Sequence, residues 1–335
     1  MDTGERGMRY RRLGKSGIKV SVMGLGCMGM THAYGAPSDE TEMIKQMRLA
    51  AEFGINFFDT AECYTGTDAD GHIVYNEELV GRALAPIRDS VIIASKFGVS
   101  HAANGMLVTD SRPETIRKSI EGSLRRLGTD HIDLYYQHRP DPDIPPEEVA
   151  GAMSDLIREG KICAWGVSEA RTEYIRRADA ECGMTAVQNR FSMMYRSYED
   201  MLPDVADMDI AFVAHSPLAN GFLSGRYDGT AQFDKRYDYR SDMPQFRPES
   251  IDKNHELLAL LDRFSNEKNA SPAAISLAWL ISKGIIPIPG TRKADRLREN
   301  AGAADIELTK EETASIDAAL DGMEMSEVFG GHKTA

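Results

Sequence analysis

Apolar runs and amphipathic stretches alternate along most of this chain. Strand-like runs begin near Val22, Asn56, Val91, Ile132, Ile162, Ala186, Ile210 and Ile286, and between most of them lie amphipathic segments at 39–53, 75–85, 112–127, 146–159, 170–182 and 195–206. The segment 112–127 is the clearest: Ile116, Ile120, Leu124 and Leu127 recur at helical spacing behind the opening Ser111-Arg112-Pro113. Strands alternating with helices in this way predict a parallel sheet closed as a (β/α)8 TIM barrel. The interval from 214 to 284 is too long for one such unit. Its polar, turn-rich part, 224–250, reads as surface loop, and residues 219–250 are expected to cover the site. Extra helices are predicted at 251–267, 272–283, 293–302 and 309–320. Residues 8–20 alternate around Gly14 and Gly17 and predict an N-terminal hairpin that plugs one barrel end, and 322–335 reads as a loosely held tail. With no linker or low-complexity tract, residues 1–335 are read as a single domain.

Composition narrows the class. With 335 residues, 42% hydrophobic and 27% charged, the chain is ordinary soluble globular material. A net charge of −13 argues against a nucleic-acid or anionic-membrane partner. The four cysteines, Cys27, Cys63, Cys163 and Cys182, have no paired spacing, and no run approaches a membrane span or a signal peptide. A cytoplasmic protein is expected. The histidines lack metal-ligand spacing, so no metal is expected.

Gly24-Leu25-Gly26-Cys27-Met28-Gly29 matches the dinucleotide fingerprint G-x-G-x-x-G. That mechanism needs a helix to start on the glycines, and here Met30-Thr31-His32-Ala33-Tyr34-Gly35-Ala36-Pro37 follows, which reads as loop. The preferred reading is glycines easing a tight strand-to-loop bend.

The chemistry centres on three strand ends. Phe57-Phe58-Asp59 runs into a turn that carries Tyr64, Val91–Lys96 ends in Lys96, and Ile132–His138 ends in His138. A barrel builds its active site at that rim. A tyrosine with a free pKa of about 10 is a poor acid at neutral pH. A lysine ammonium beside it favours the phenolate, an aspartate can hold that lysine, and a neutral histidine can orient a carbonyl. Taken singly, each has a plainer reading: a loop aromatic, a snorkelling lysine, a hydrogen-bonded core histidine, a capping aspartate.

These phrases, with GKICAWGVSEA, VQNRFS, HSPLANGFLSGRY and IPIPGTRKADRLRENAGA, resemble the aldo-keto reductase superfamily over nearly the whole chain and in its order. The resemblance implies reduction of an aldehyde or ketone to an alcohol by direct hydride transfer from NADPH. Tyr64 is then the general acid (the base in the oxidative direction), Lys96 lowers its pKa, Asp59 pairs with Lys96, and His138 orients the substrate oxygen. It implies that Ser168, Glu169 and Gln188 hold the nicotinamide carboxamide, and that Ser216, Leu218 and Gly221 belong to the loop strapping the pyrophosphate. Gly26, Cys27 and Met28 would lie beside the nicotinamide ribose.

Thr291, Arg292, Arg296 and Asn300 follow the last strand, with the last three spaced by four. On a helix they share one face, whose donor-rich start suits a terminal phosphate, although a charged surface helix reads the same way. The resemblance makes Thr291, Arg292 and Arg296 the 2′-phosphate site and Asn300 an adenine contact, which favours NADP+/NADPH.

Two positions depart from the pattern. Glu169 stands where Asn is common, and His215 stands where an aromatic, usually Tyr, stacks on the nicotinamide. Trp165 is expected in the core, while Met28, Met30, Met193 and Met194 either line an adaptable substrate pocket or fill core gaps. The partner expected is a small carbonyl or alcohol, with the oligomeric state open. The alternative is an NADPH-binding regulatory subunit resembling channel β subunits, and a more distant one is a Schiff-base enzyme using Lys96.

Overall fold

A computed structural model describes residues 7–102, 106–236 and 238–328. Its centre is a sheet of eight parallel strands: β1 (Leu25–Gly26), β2 (Phe57–Asp59), β3 (Ile92–Phe97), β4 (Ile132–Gln137), β5 (Ile162–Ser168), β6 (Ala186–Arg190), β7 (Ala211–His215) and β8 (Ile286–Pro287). They pair in chain order from β1 to β8. Gly24 N donates to Pro287 O at 2.9 Å and Gly26 N to Pro289 O at 3.3 Å, so the first strand closes onto the last. The fold is the expected (β/α)8 barrel.

That seam explains the glycines. A Cβ on Gly26 would sit 2.7 Å from Ile288 O and one on Gly290 2.8 Å from Gly26 O, while one on Gly24 would sit 2.8 Å from Phe57 O of the neighbouring β2. Close approach of two backbones, rather than a tight bend, is what excludes side chains there. A short 3-10 turn, Met28–Met30, follows β1 where a dinucleotide fingerprint would require an α-helix.

Helices α1 (Glu40–Glu52), α2 (Asn76–Leu84), α3 (Pro113–Leu127), α4 (Pro146–Arg158), α5 (Thr172–Glu181) and α6 (Leu202–Asp207) surround the sheet. Strands so covered are apolar on both faces, and all six residues of β4 are buried. Inside the barrel, small Ala94, Ala164, Ala186 and Ala211 pack with the larger Phe57, Leu134, Tyr136 and Ile286. The N-terminal hairpin, Tyr10–Arg12 paired with Lys19–Ser21, adds fully buried Leu13 and Val20 to this interior cluster, as a plug does. Each of those side chains contributes about 1.5–3 kcal/mol by leaving water.

Four features differ from the sequence reading. Two rim loops fold as hairpins, Thr65–Thr67 with Ile73–Tyr75 and Val99–His101 with Leu107–Thr109. The expected helix 195–206 is the short α6 behind a 3-10 turn, Glu199–Met201. The covering loop contains 3-10 turns and α7 (Pro248–Lys253), ahead of α8 (His255–Lys268), α9 (Pro272–Ser282), α10 (Ala294–Ala301) and α11 (Lys310–Gly322). The described part of the tail is tied down: Ser326 N donates to Asn254 Oδ1 at 2.9 Å and Asn254 Nδ2 to Ser326 Oγ at 2.8 Å. Residues 329–335 of that tail, residues 1–6, residues 103–105 and residue 237 of the covering loop lie outside the described residues. Among the described residues no helix is long and apolar enough to cross a membrane.

Candidate active site

The C-terminal ends of β2, β3 and β4 bring the four predicted catalytic side chains together. Lys96 is buried at 1% exposure, and its Nζ donates to Asp59 Oδ1, to Thr60 O at 2.9 Å and to Tyr64 OH at 3.4 Å. The Tyr64 ring meets the His138 ring edge-on, with centroids 5.7 Å apart. Backbone bonds hold the three ends in register, from Thr60 N to Ala94 O at 2.9 Å, Glu62 N to Lys96 O at 3.1 Å and His138 N to Phe97 O at 2.9 Å.

Burial sets the protonation states. It opposes the charge on Lys96, but Asp59 and Tyr64 more than offset that and raise its pKa, so it stays an ammonium. Burial drives His138 well below the ordinary 6.5, and Arg139, Lys96, His215 and His101 add to the shift, so the ring is neutral at pH 7. Tyr64 does not follow expectation. Lys96 pulls it down, but burial pushes it to about 12. The hydroxyl is therefore fully protonated and ready to donate.

Around these four lies a supporting network that spacing did not reveal. Buried Asn76 donates from Nδ2 to Cys27 O at 3.0 Å and to Thr31 Oγ1 at 2.8 Å, and accepts from Thr60 Oγ1 at 2.6 Å. Its backbone N–H donates to Tyr64 O at 2.9 Å. Cys63 Sγ lies 3.4 Å from His138 Nδ1. Arg139 donates to His138 O at 2.5 Å and to Ser168 Oγ at 3.0 Å. His32 stacks on Tyr64 at 5.9 Å and holds Thr65 O through Nδ1 at 2.7 Å. Asn76, following a strand-like tyrosine, resembles an ordinary helix start, and the sequence carried no other signal for it.

The nicotinamide-side candidates divide. Ser168 and Gln188 are buried, and Gln188 Nε2 donates to Asp59 Oδ2 at 2.7 Å, which ties this residue to the tetrad. The two departures, Glu169 and His215, turn out to be partners. His215 Nε2 lies 2.7 Å from Glu169 Oε1, which also accepts from Arg190 N at 2.7 Å, while Tyr198 OH donates to Oε2 at 3.1 Å. Burial opposes the Glu169 charge, but His215, Arg139 and the Arg190 amide outweigh it and hold the carboxyl well below its usual range. Glu169 (φ 59°) and Ser216 (φ 51°) both take the left-handed conformation that non-glycine residues avoid, one at each end of the pair.

The strap candidates Ser216, Leu218 and Gly221 lie together, with Ala219, Asn220 and Gly221 successively left-handed. Asn220 Nδ2 donates to Tyr34 OH at 2.8 Å and Tyr239 N to Ala33 O at 3.1 Å, so the covering loop is fastened to the loop after β1. Arg240 stacks over Tyr34 and Phe233 at 5.0 and 4.5 Å while bonded to Asp238.

At the far end, α10 begins at Ala294 with Lys293 as its N-cap, so Arg292 precedes the helix instead of sharing its face. Arg292 turns back to donate to Gly29 O and, at 3.4 Å, to Ala36 O. Arg296 and Asn300 are on the helix, and Thr291 Oγ1 accepts from Lys293 N at 3.1 Å. Arg292 Nη2 and Arg296 Nε are buried with no hydrogen-bond partner among the described residues. Cys27 is buried in the core and Met28 partly exposed beside Gly26 at the end of β1, while Met30, Met193 and Met194 pack in the core with Trp165. For those three methionines the pocket alternative is therefore set aside.

A sequence model described as the Aldo/keto reductase family matches residues 22–321. The chain belongs to the aldo/keto reductase family. A probable aldo-keto reductase 1 from Glycine max is 36% identical over 324 residues, covering 96% of this chain and 90% of the relative. The structure of a glycerol dehydrogenase from Gluconobacter oxydans superposes with a TM-score of 0.82 at 27% identity, covering 97% and 98% of the two chains. The holo form of an aldo-keto reductase from Bacillus halodurans gives 0.73 at 27% identity, covering 97% and 99%. Aldo/keto reductases are oxidoreductases that generally use NAD(P)H, and family membership supports that general class of chemistry for this chain.

Proposed function

We propose that this protein is an NADPH-dependent aldo-keto reductase in which Tyr64 protonates the substrate oxygen. What carries the reading is the convergence of one ammonium, one carboxylate, one phenol and one neutral imidazole, with Lys96 Nζ bonded to both Asp59 and Tyr64. The nicotinamide cofactor, when bound, supplies the hydride that reaches the carbonyl carbon. His138 fixes the carbonyl oxygen by a hydrogen bond. The Tyr64 hydroxyl gives that oxygen its proton as negative charge develops there, and the Lys96 ammonium, held by Asp59, stabilises the phenolate left behind. In the oxidative direction the same phenolate takes the proton back.

The residues present suit a dinucleotide with a terminal phosphate. Two buried guanidinium nitrogens, Arg292 Nη2 and Arg296 Nε, lack partners, and an unsatisfied buried donor costs about 1–3 kcal/mol. A terminal phosphate would be held by Arg292 and Arg296, with Thr291 and Asn300 as further candidates, and would satisfy those donors. Ser168, Glu169 and Gln188 would meet the carboxamide, His215 the ring face, Gly26, Cys27 and Met28 the ribose, and Ser216, Leu218 and Gly221 the pyrophosphate. A cytoplasmic setting, in keeping with four free thiols, is part of the same proposal.

Tyr64→Phe tests it. The variant should lose 4-nitrobenzaldehyde reduction by about 10²-fold or more while its NADPH affinity, followed by intrinsic fluorescence, stays within a factor of two or so. Retained turnover would remove Tyr64 from the proton step. Tight NADPH binding by the unmodified protein without turnover on a panel of carbonyls would favour the regulatory alternative.

A further inference from the structure

Cys63 is a group that the chemistry above leaves idle, although it stands between Glu62 and Tyr64. Burial pushes its thiol up to about 12, against a weaker pull from Lys96, so the sulfur carries its hydrogen at neutral pH. His138 is neutral for the reason given above and has a single ring proton to place. Which nitrogen carries that proton decides what the ring can do. With the proton on Nε2 the ring donates to a carbonyl oxygen. With it on Nδ1, the Nε2 lone pair would face the oxygen lone pairs and repel them. Tautomers of this kind are set by the bond that the other nitrogen makes.

Cys63 Sγ lies 3.4 Å from Nδ1, within the range for a sulfur hydrogen bond. Among the described residues, the other groups around the ring do not compete for that nitrogen. The Tyr64 ring meets it edge-on, Arg139 is spent on the His138 carbonyl and Ser168, and Lys96 on Asp59, Thr60 and Tyr64. His215 is bonded to Glu169, and His101 leans on His32 with centroids 5.6 Å apart. We propose that the Cys63 thiol donates to Nδ1 of His138 and so holds the imidazole as the Nε2–H tautomer that orients the substrate oxygen. Cys63 is a positioning residue: it acts through His138 and touches no reacting atom. The assignment rests on the reductase reading only for the use to which Nε2–H is put.

The test is the tautomer itself. Protein labelled with 15N-histidine gives long-range proton–nitrogen correlations that separate the two neutral forms, and His138→Gln identifies the His138 set. Wild type and Cys63→Ser should both show Nε2–H at His138, while Cys63→Ala should shift the pattern toward a mixture. In steady-state assays Cys63→Ala should lower kcat/KM for aldehyde reduction by about fivefold, the worth of one neutral hydrogen bond, with Cys63→Ser restoring most of it and NADPH affinity constant. An Nδ1–H ring in the wild type, or an unchanged tautomer pattern in Cys63→Ala, would overturn the proposal. Tautomer control by Cys63 in a protein that turns over no carbonyl would uphold this assignment and sink the reductase reading instead.

Discussion

The Glu169–His215 pair offers a quantitative test, because each residue taken alone departs from what the family places there. Glu169 Oε1 is shared at 2.7 Å by His215 Nε2 and Arg190 N, with both side chains about four-fifths buried (21% and 17% exposed). His215→Tyr takes away one charge-assisted bond and leaves a buried carboxylate short of a partner, at a cost of about 1.5–3 kcal/mol. Glu169→Asn strands the imidazole instead. With an unfolding entropy of roughly 2 cal/mol/K per residue, a chain of this length loses about 2–4 °C in Tm for either change. The double variant removes both partners together and should recover most of that loss, a coupling of at least about 1 kcal/mol in the thermal double-mutant cycle. Burial lowers the His215 pKa below 6.5 although Glu169 pulls it up. A lowered histidine leaves the unfolded chain binding more protons below 6.5, so wild type loses stability there and His215→Tyr does not. The Tm gap between them should therefore narrow as pH falls through that value. NADPH titration follows the functional side: each single change should weaken binding and the double should bind at least as well as wild type. Additive Tm losses in the double variant would refute the pairing argument.

Three further outcomes follow from other parts of the structure. Arg292→Ala should weaken NADPH by about 10–100-fold, the worth of a charge-assisted hydrogen bond, and NADH by much less; equal losses would mean Arg292 does not meet a 2′-phosphate. Burial holds His138 neutral well below pH 6.5, so the acid limb of kcat/KM for reduction should lie below that pH, and a limb at or above 6.5 that disappears in His138→Gln would contradict it. Gly26→Ala places a methyl 2.7 Å from Ile288 O, across the barrel seam, and should cost about 1–3 kcal/mol, read as a lower urea midpoint; an unchanged midpoint would mean that the seam gives way freely.

What could be read from the sequence divides along physical lines. Helix α3 was legible because its burial pattern is local: Ile116, Ile120 and Leu127 face the core within one amphipathic segment. Strands such as β2 and β7 were legible because both faces are covered, which leaves short apolar runs such as Phe57-Phe58 and Ala211–Ala214. The grouping of Asp59, Lys96 and His138 was legible because a parallel barrel delivers successive strand ends to one rim, so it needed no long-range inference beyond the topology. Contacts made across the rim were not legible. Glu169 and His215 lie 46 positions apart, on strands separated by β6, and each alone reads as a defect. The rim hairpins at 65–75 and 99–109 carry too few apolar residues to announce themselves, because one face looks out to solvent.

Protonation states were only half legible, and the reason lies in burial. The sequence supplies the sign of each neighbour: Lys96 lowers the Tyr64 pKa, Asp59 raises it. It does not supply how much water the fold removes, and here that contribution is the largest, which is why Tyr64 is pushed to about 12 instead of below 10. The same desolvation acts favourably on His138, since a buried imidazole stays neutral and can donate one proton in one direction. In the proposed mechanism, burial therefore does opposite service on the two faces of the substrate oxygen. It keeps the proton on the phenol until charge develops to receive it, and it keeps a second proton off the histidine throughout. A pair of donors so arranged favours delivery of a single proton, from Tyr64, with the imidazole serving only to aim the oxygen.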